Sequence, residues 1–281
     1  MTAPLLDVQH LSVVFDGSPS SVIAVNDIGF QIAAGETLGL VGESGSGKSV
    51  TAFSILRLVQ PPGRITAGRV LFEGRDLLAL PEGDMRQIRG ARISLIFQEP
   101  MTALNPVMRI GDQIAEALTV HGQTTRAEAW SRAVELVEAV HIPDARRRVR
   151  DYPHQLSGGM RQRVMIAIAL ACRPALVIAD EPTTALDVTI QAQVLDLLRE
   201  LRARYNLALL LITHDFGVIA EMADRVAVMY RGALVEEGPV RQILRSPAHE
   251  YTRGLLAAVP GAAGPKGQTR GQTPLQNDCR G

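Results

Sequence analysis

Thr37-Leu38-Gly39-Leu40-Val41-Gly42-Glu43-Ser44-Gly45-Ser46-Gly47-Lys48-Ser49 sets the fold class of this chain. Thr37 to Val41 is a short apolar strand, and it runs straight into a glycine-rich turn. Gly42 to Ser49 is a full match to the pattern G-x-x-x-x-G-K-[ST], and Ser49 to Leu58 reads as a helix. Strand, glycine turn and helix in that order form the context in which the pattern cradles phosphate. The glycines let backbone N–H groups turn inward, and the helix N-terminus adds positive potential. The expected phosphate contacts are Gly42, Glu43, Ser44, Gly45, Ser46, Gly47, Lys48, Ser49 and Val50. In this arrangement Lys48 neutralises β- and γ-phosphates and the Ser49 hydroxyl ligates Mg²⁺.

Working outward, the opening of the chain reads as β-structure. Leu11, Val13 and Phe15 alternate with other residues, as do Ile28, Phe30 and Ile32. Arg69 to Phe72 and Ile93 to Phe97 add two short strands. From Pro106 to about Asp151 the pattern becomes helical, with Ile110, Ile114 and Leu118 at helical spacing and a Thr125/Glu128 capping box opening a helix that ends near Val140. Ala175 to Ala179 and Leu207 to Ile212 are continuous apolar runs, as strands buried on both faces should be. Between them Val194, Leu197, Leu198 and Leu201 mark one face of an amphipathic helix. The sum is an α/β chain with a parallel-sheet core.

The strand Leu176-Val177-Ile178-Ala179-Asp180-Glu181 ends in two acids. In an open parallel sheet its C-terminal end lies beside the phosphate loop. Asp180 is therefore the expected Mg²⁺ ligand, directly or through water, and Glu181 the group that orients and deprotonates an attacking water.

Composition narrows the classes. Of 281 residues, 46% are apolar, and 29 basic residues balance 29 acidic ones. That neutrality argues against a dedicated duplex-DNA binder, though not against a local basic patch, and no nucleic-acid partner is expected. Two cysteines, Cys172 and Cys279, cannot build a disulfide framework or a four-cysteine metal site. No stretch approaches the ~20 apolar residues that span a bilayer, so the chain is not expected to cross a membrane by itself.

Gln155-Leu156-Ser157-Gly158-Gly159-Met160-Arg161-Gln162-Arg163 resembles the signature sequence of ATP-binding-cassette (ABC) proteins. Physically, Ser157 can cap the following helix, and the two glycines allow a phosphate to approach its N-terminus. Gln98 matches that family's glutamine loop, Ala185-Leu186-Asp187 the loop at its dimer interface, and His214 its switch histidine. Phe15 lies where the family places an aromatic that stacks on adenine, although it also completes an alternating strand. The phrases from Tyr152 to Arg163 and from Asp180 to Thr189, and the stretch Ala248-His249-Glu250-Tyr251-Thr252 to Leu256, resemble the dipeptide, oligopeptide and nickel group of importer ATPases.

The resemblance spans roughly Leu5 to Pro260. It implies an ABC-type nucleotide-binding domain over residues 1–260, with a RecA-like parallel-sheet core, an N-terminal antiparallel β-subdomain and an inserted helical subdomain at about 99–165. A flexible tail would occupy 261–281. Glu181, His214 and Gln98 would be the catalytic residues; Ser49, Gln98 and Asp180 would serve Mg²⁺. Ser157, Gly158, Gly159 and Asp187 would meet the ATP of a facing ATPase subunit, identical or homologous, in a head-to-tail dimer. Two membrane-spanning permease subunits and a solute-binding protein would complete the complex, with this chain on the cytoplasmic face of the inner membrane.

Longer members carry a cysteine-rich extension that can hold an iron–sulfur cluster; with only Cys279 in the tail, none is expected here. Cys172 reads as a buried free thiol, and the Arg-rich stretch Ala145–Arg150 as a solvated helix end. DNA-repair cassettes would need coiled-coil arms or zinc-binding cysteine pairs, translation-associated ones a second cassette, and the group-specific phrases argue against an exporter.

Overall fold

The structure, a computed structural model, describes residues 3–17, 20–122, 124–184 and 186–258. The tail, with Cys279, and Ala185 of the expected interface loop lie outside these residues. In chain order the first elements are β1 (Leu6–Phe15), β2 (Val22–Ile32), β3 (Thr37–Val41), α1 (Lys48–Ile55), β4 (Gly63–Phe72) and β5 (Arg75–Asp76). Then come α2 (Glu82–Ile88), β6 (Ile93–Ile96), α3 (Pro100–Ala103), α4 (Ile110–His121), α5 (Arg126–Ala139), α6 (Ala145–Arg148) and α7 (Gly158–Leu170). The last are β7 (Leu176–Asp180), α8 (Val188–Tyr205), β8 (Ala208–Thr213), α9 (Phe216–Met222), β9 (Arg225–Tyr230), β10 (Ala233–Pro239), α10 (Val240–Arg245) and α11 (Glu250–Ala257).

Two sheets result. One is antiparallel in the order β2-β1-β4-β5. The other runs β10-β9-β3-β8-β7-β6, parallel except for the edge strand β10. β3, β7 and β8 are buried along their whole length, and pleating divides their side chains between two cores. Leu176, Ile178, Leu210 and Ile212 face the core shared with the antiparallel sheet. Val177, Ala179, Leu209 and Leu211 face the core shared with α4, α5, α7 and α8. Continuous apolar strands are thus a consequence of having a layer on each face.

The alternation in β1 holds from Leu11 to Val13 but not back to its start, because Leu6 and Val8 are also buried. A register shift between Val8 and Leu11, with His10 at φ 52°, absorbs the change of phase. The strand expected at Arg69–Phe72 is longer, from Gly63, because β4 pairs with β1 from Leu6↔Phe72 to Phe15↔Gly63. The helix expected to reach Leu58 stops at Ile55: Arg57 is left-handed, and the Leu58 amide donates back to the Phe53 carbonyl.

The Thr125/Glu128 capping box opens α5, with Glu128 N donating to Thr125 Oγ1 at 3.3 Å and Thr125 N to Glu128 Oε2 at 2.9 Å. In the Arg-rich segment Arg146 and Arg147 are exposed, while Arg148 pairs with Asp151 at 2.9 Å. Cys172 is half-buried rather than buried, since its thiol reaches the Ala117 carbonyl at 3.4 Å at the edge of the helical layer. Among the described residues no helix is long and apolar enough to cross a membrane.

Candidate active site

The phosphate loop leaves the C-terminal end of β3 and wraps the start of α1. Gly47, at φ 108°, has a conformation that a side chain would strain, and a Cβ there would lie 2.4 Å from the Ala24 carbonyl. A Cβ on Gly42 would come within 2.2 Å of the Met229 carbonyl, so β9 packs directly on the loop backbone. No side chain caps α1, which leaves its first N–H groups for a ligand. Lys48 is 5% exposed, and its Nζ donates to the carbonyls of Gly42 and Glu43, each at 2.8 Å. Those bonds hold the ammonium against two successive carbonyls of the loop. Burial pulls the Lys48 pKa below the ordinary lysine value against the opposing charges of Glu181, Asp180 and Glu43.

β3 and β7 are separated by β8, so their C-terminal ends present their residues to one cavity of about 590 Å³. Ser49 Oγ donates to Asp180 Oδ1 at 3.0 Å. Burial pushes the Asp180 carboxyl above its usual range, with Glu181 adding to the effect and the Ser49 hydrogen bond and Lys48 charge offsetting only part of it. A hydroxyl and a buried carboxylate in contact form an oxygen pair suited to a hard cation such as Mg²⁺. A cation there would also favour the ionised form that burial opposes.

Glu181 is fixed from three sides. Thr184 Oγ1 donates to its Oε2 at 2.7 Å, Gln98 Nε2 to the same oxygen at 3.1 Å, and His214 Nδ1 lies 3.2 Å from Oε1. Its backbone is left-handed, at φ 47°, with its N–H bonded to Ile212. A non-glycine residue in that region stores strain, which marks an imposed orientation. Burial works to raise the carboxyl's pKa, but the Thr184 and His214 hydrogen bonds and the charges of His214 and Lys48 outweigh it. The group therefore sits below the ordinary carboxylate value and stays ionised at neutral pH.

Gly42, Glu43, Ser44, Gly45, Gly47, Lys48, Ser49, Val50, Gln98, Glu181 and His214 all line the cavity, and Ser46 is buried in the loop behind it. Ser157, Gly158, Gly159 and Asp187 are not part of the cavity wall. Ser157 caps α7 by accepting from Met160 N at 3.3 Å, and Asp187 caps α8 by accepting from Ile190 N at 2.9 Å. The two helix starts touch: a Cβ on Gly159 would meet Ile190 at 2.7 Å. Phe15 does not line the cavity either; it is half-buried, with its ring edge over Gly63 where no side chain intervenes. Sequence reasoning gave no role to Thr184, Ala24, Tyr251 or Leu255. Thr184, Tyr251 and Leu255 lie inside stretches that resemble the importer group but have no individual role there, and Ala24 carries no signal beyond being apolar.

A glycine loop over a buried lysine, a hydroxyl–carboxylate pair and an oriented carboxylate, gathered at strand ends of one parallel sheet, have the make-up of a nucleoside triphosphatase site. The chain belongs to the ABC transporter family, whose description matches residues 25–184. It is an ATPase of that type. Residues 235–280 match the family described as the oligopeptide/dipeptide transporter, C-terminal region. The oligopeptide transport ATP-binding protein OppD of Salmonella typhimurium is 54% identical over 256 residues, 91% of this chain and 76% of that protein. OppD of Escherichia coli is 53% identical over the same coverage. Among solved structures, an ATP-binding cassette captured as a dimer after hydrolysis, bound to ADP and Pi, superposes with a TM-score of 0.75 at 27% identity. That match covers 84% of this chain and 99% of the other.

Proposed function

We propose that this chain is the ATP-hydrolysing subunit of an importer that carries peptides, or a related small solute such as nickel, across the cytoplasmic membrane. It would act from the cytoplasmic face with two permease subunits, a second ATPase subunit and a solute-binding protein. The carrying observation is that Lys48, Ser49 and the triply held Glu181 line one cavity, with Asp180 buried against the Ser49 hydroxyl just behind the wall. The C-terminal match and the OppD relatives support peptides as the cargo class.

Lys48 and the N-terminal N–H groups of α1 hold the β- and γ-phosphate oxygens. Ser49 and Asp180 hold Mg²⁺, with Gln98 beside them; the ion, when bound, offsets phosphate charge. Glu181 accepts a proton from the water that attacks the γ-phosphorus, and His214 steadies that carboxylate from its other oxygen. Ser157, Gly158, Gly159 and Asp187 serve the facing subunit's nucleotide, so ATP clamps two chains and hydrolysis frees them. Residues 99–165, the inserted helical subdomain of a 1–260 cassette, pass this motion to the permeases. Phe97, Met101 and Val107, apolar and 42%, 59% and 79% exposed along the segment that carries Gln98, suit that contact.

The test is to purify the tagged chain with its membrane partners in mild detergent and reconstitute the complex in vesicles. Short peptides should accelerate ATP hydrolysis and accumulate with it. Accumulation of nickel and not of peptides would overturn the peptide assignment, and co-purification without any permease would overturn transport.

A further inference from the structure

α11, the last helix of the described residues, reaches back over the phosphate loop. Glu43 N–H donates to the Tyr251 hydroxyl at 3.1 Å. The Tyr251 ring packs on Tyr230 at the end of β9, with centroids 4.1 Å apart and planes tilted by 34°. Glu236 of β10 accepts from the backbone N–H groups of Ala248 and His249 at 2.7 and 3.0 Å, which fixes the entry to α11. His249 then caps the helix by accepting from Tyr251 N at 3.2 Å. One turn beyond Tyr251, on the same helix face, Leu255 lines the nucleotide cavity.

We propose that α11 is a wall of the nucleotide site, with Tyr251 a positioning residue for the phosphate loop and Leu255 a contact for the nucleoside. The inference rests on the reading of this cavity as the ATP site. The triphosphate belongs at Gly42–Ser49, so the base and ribose must occupy the remainder, whose lining includes Ala24 and Leu255. Tyr251 acts through the loop: its hydroxyl holds Glu43 N–H, adjacent to one of the carbonyls that Lys48 binds. α11 lies within the C-terminal region matched at residues 235–280, and the inference gives that region a task in nucleotide binding.

The two roles separate by ligand. Binding of ATP and of inorganic tripolyphosphate, each with magnesium, is measured calorimetrically on the full chain. Tyr251→Phe keeps the ring on Tyr230 and removes the acceptor, so both ligands should weaken by about 3- to 10-fold. Leu255→Ala should weaken ATP by roughly 5- to 30-fold and leave tripolyphosphate unchanged. Leu255→Met, which conserves volume, should restore ATP binding. Unchanged ATP affinity in both Tyr251→Phe and Leu255→Ala, with wild-type binding intact, would overturn the wall. Equal losses for both ligands in Leu255→Ala would also overturn it, since they would mean general damage to α11. Failure of the wild-type chain to bind either ligand would overturn the site itself.

Discussion

Helices α1 and α7 both carry glycine at or beside the N-cap, and they begin differently. α1 starts at left-handed Gly47 with no side-chain cap, inside the cavity and behind a buried lysine. α7 starts at Ser157, whose hydroxyl caps Met160 N, outside the cavity and against the start of α8. The first gathers Lys48, Ser49 and Asp180 from its own chain; the second, among the described residues, has an N-terminal dipole and two glycines with no such groups beside it. That contrast is what two half-sites on one chain require. α5 provides the purely structural reference, its start satisfied by a Thr125/Glu128 capping box.

The comparison can be broken most severely at the base. Glu181→Gln should lower turnover by about 10²- to 10⁴-fold, the scale of a general base, and leave ATP affinity near wild type by calorimetry. A turnover close to wild type would remove Glu181 from that role. Lys48→Ala should weaken ATP binding by ~100-fold, because a buried charge-assisted grip is lost; unaltered binding would contradict the loop's role. Ser157→Ala sharpens the contrast, since it should cost roughly tenfold in turnover while single-chain ATP binding stays unchanged.

The smallest effect belongs to α5. Hydrogen bonds from the Thr125 backbone and side chain hold the Glu128 carboxyl below its ordinary value of 4.5. A lowered folded-state pKa adds stability that is present above the unfolded value and fades as pH falls through the folded one. Wild type should therefore melt about 1–2 °C above Glu128→Gln at pH 7, and the gap should close as the pH falls below the ordinary carboxylate value and through the lowered folded one. A gap that widens in acid would reverse the sign and the explanation.

Legibility in the sequence followed locality. β3, β7 and β8 were readable because burial on both faces writes an unbroken apolar run, and the phosphate loop because its chemistry is confined to eight successive residues. The phase of β1 was not readable, since the bulge near His10 cancels one step of the alternation without leaving a glycine or proline to announce it. Tyr251 belongs to a stretch that resembles the importer group, yet its contact with Glu43 joins residues 208 positions apart. No periodicity encodes such a pair. Phe15 shows the converse: an aromatic in the family's position packs over Gly63 instead of lining the cavity.

The two-halves account is tested most directly by a cryo-EM map of the Glu181→Gln chain in its permease complex with ATP and magnesium. The γ-phosphate should lie between this chain's Lys48 and the start of the signature helix of the facing ATPase subunit. A nucleotide enclosed by this chain's own Ser157, or bound away from Gly42–Ser49, would contradict it.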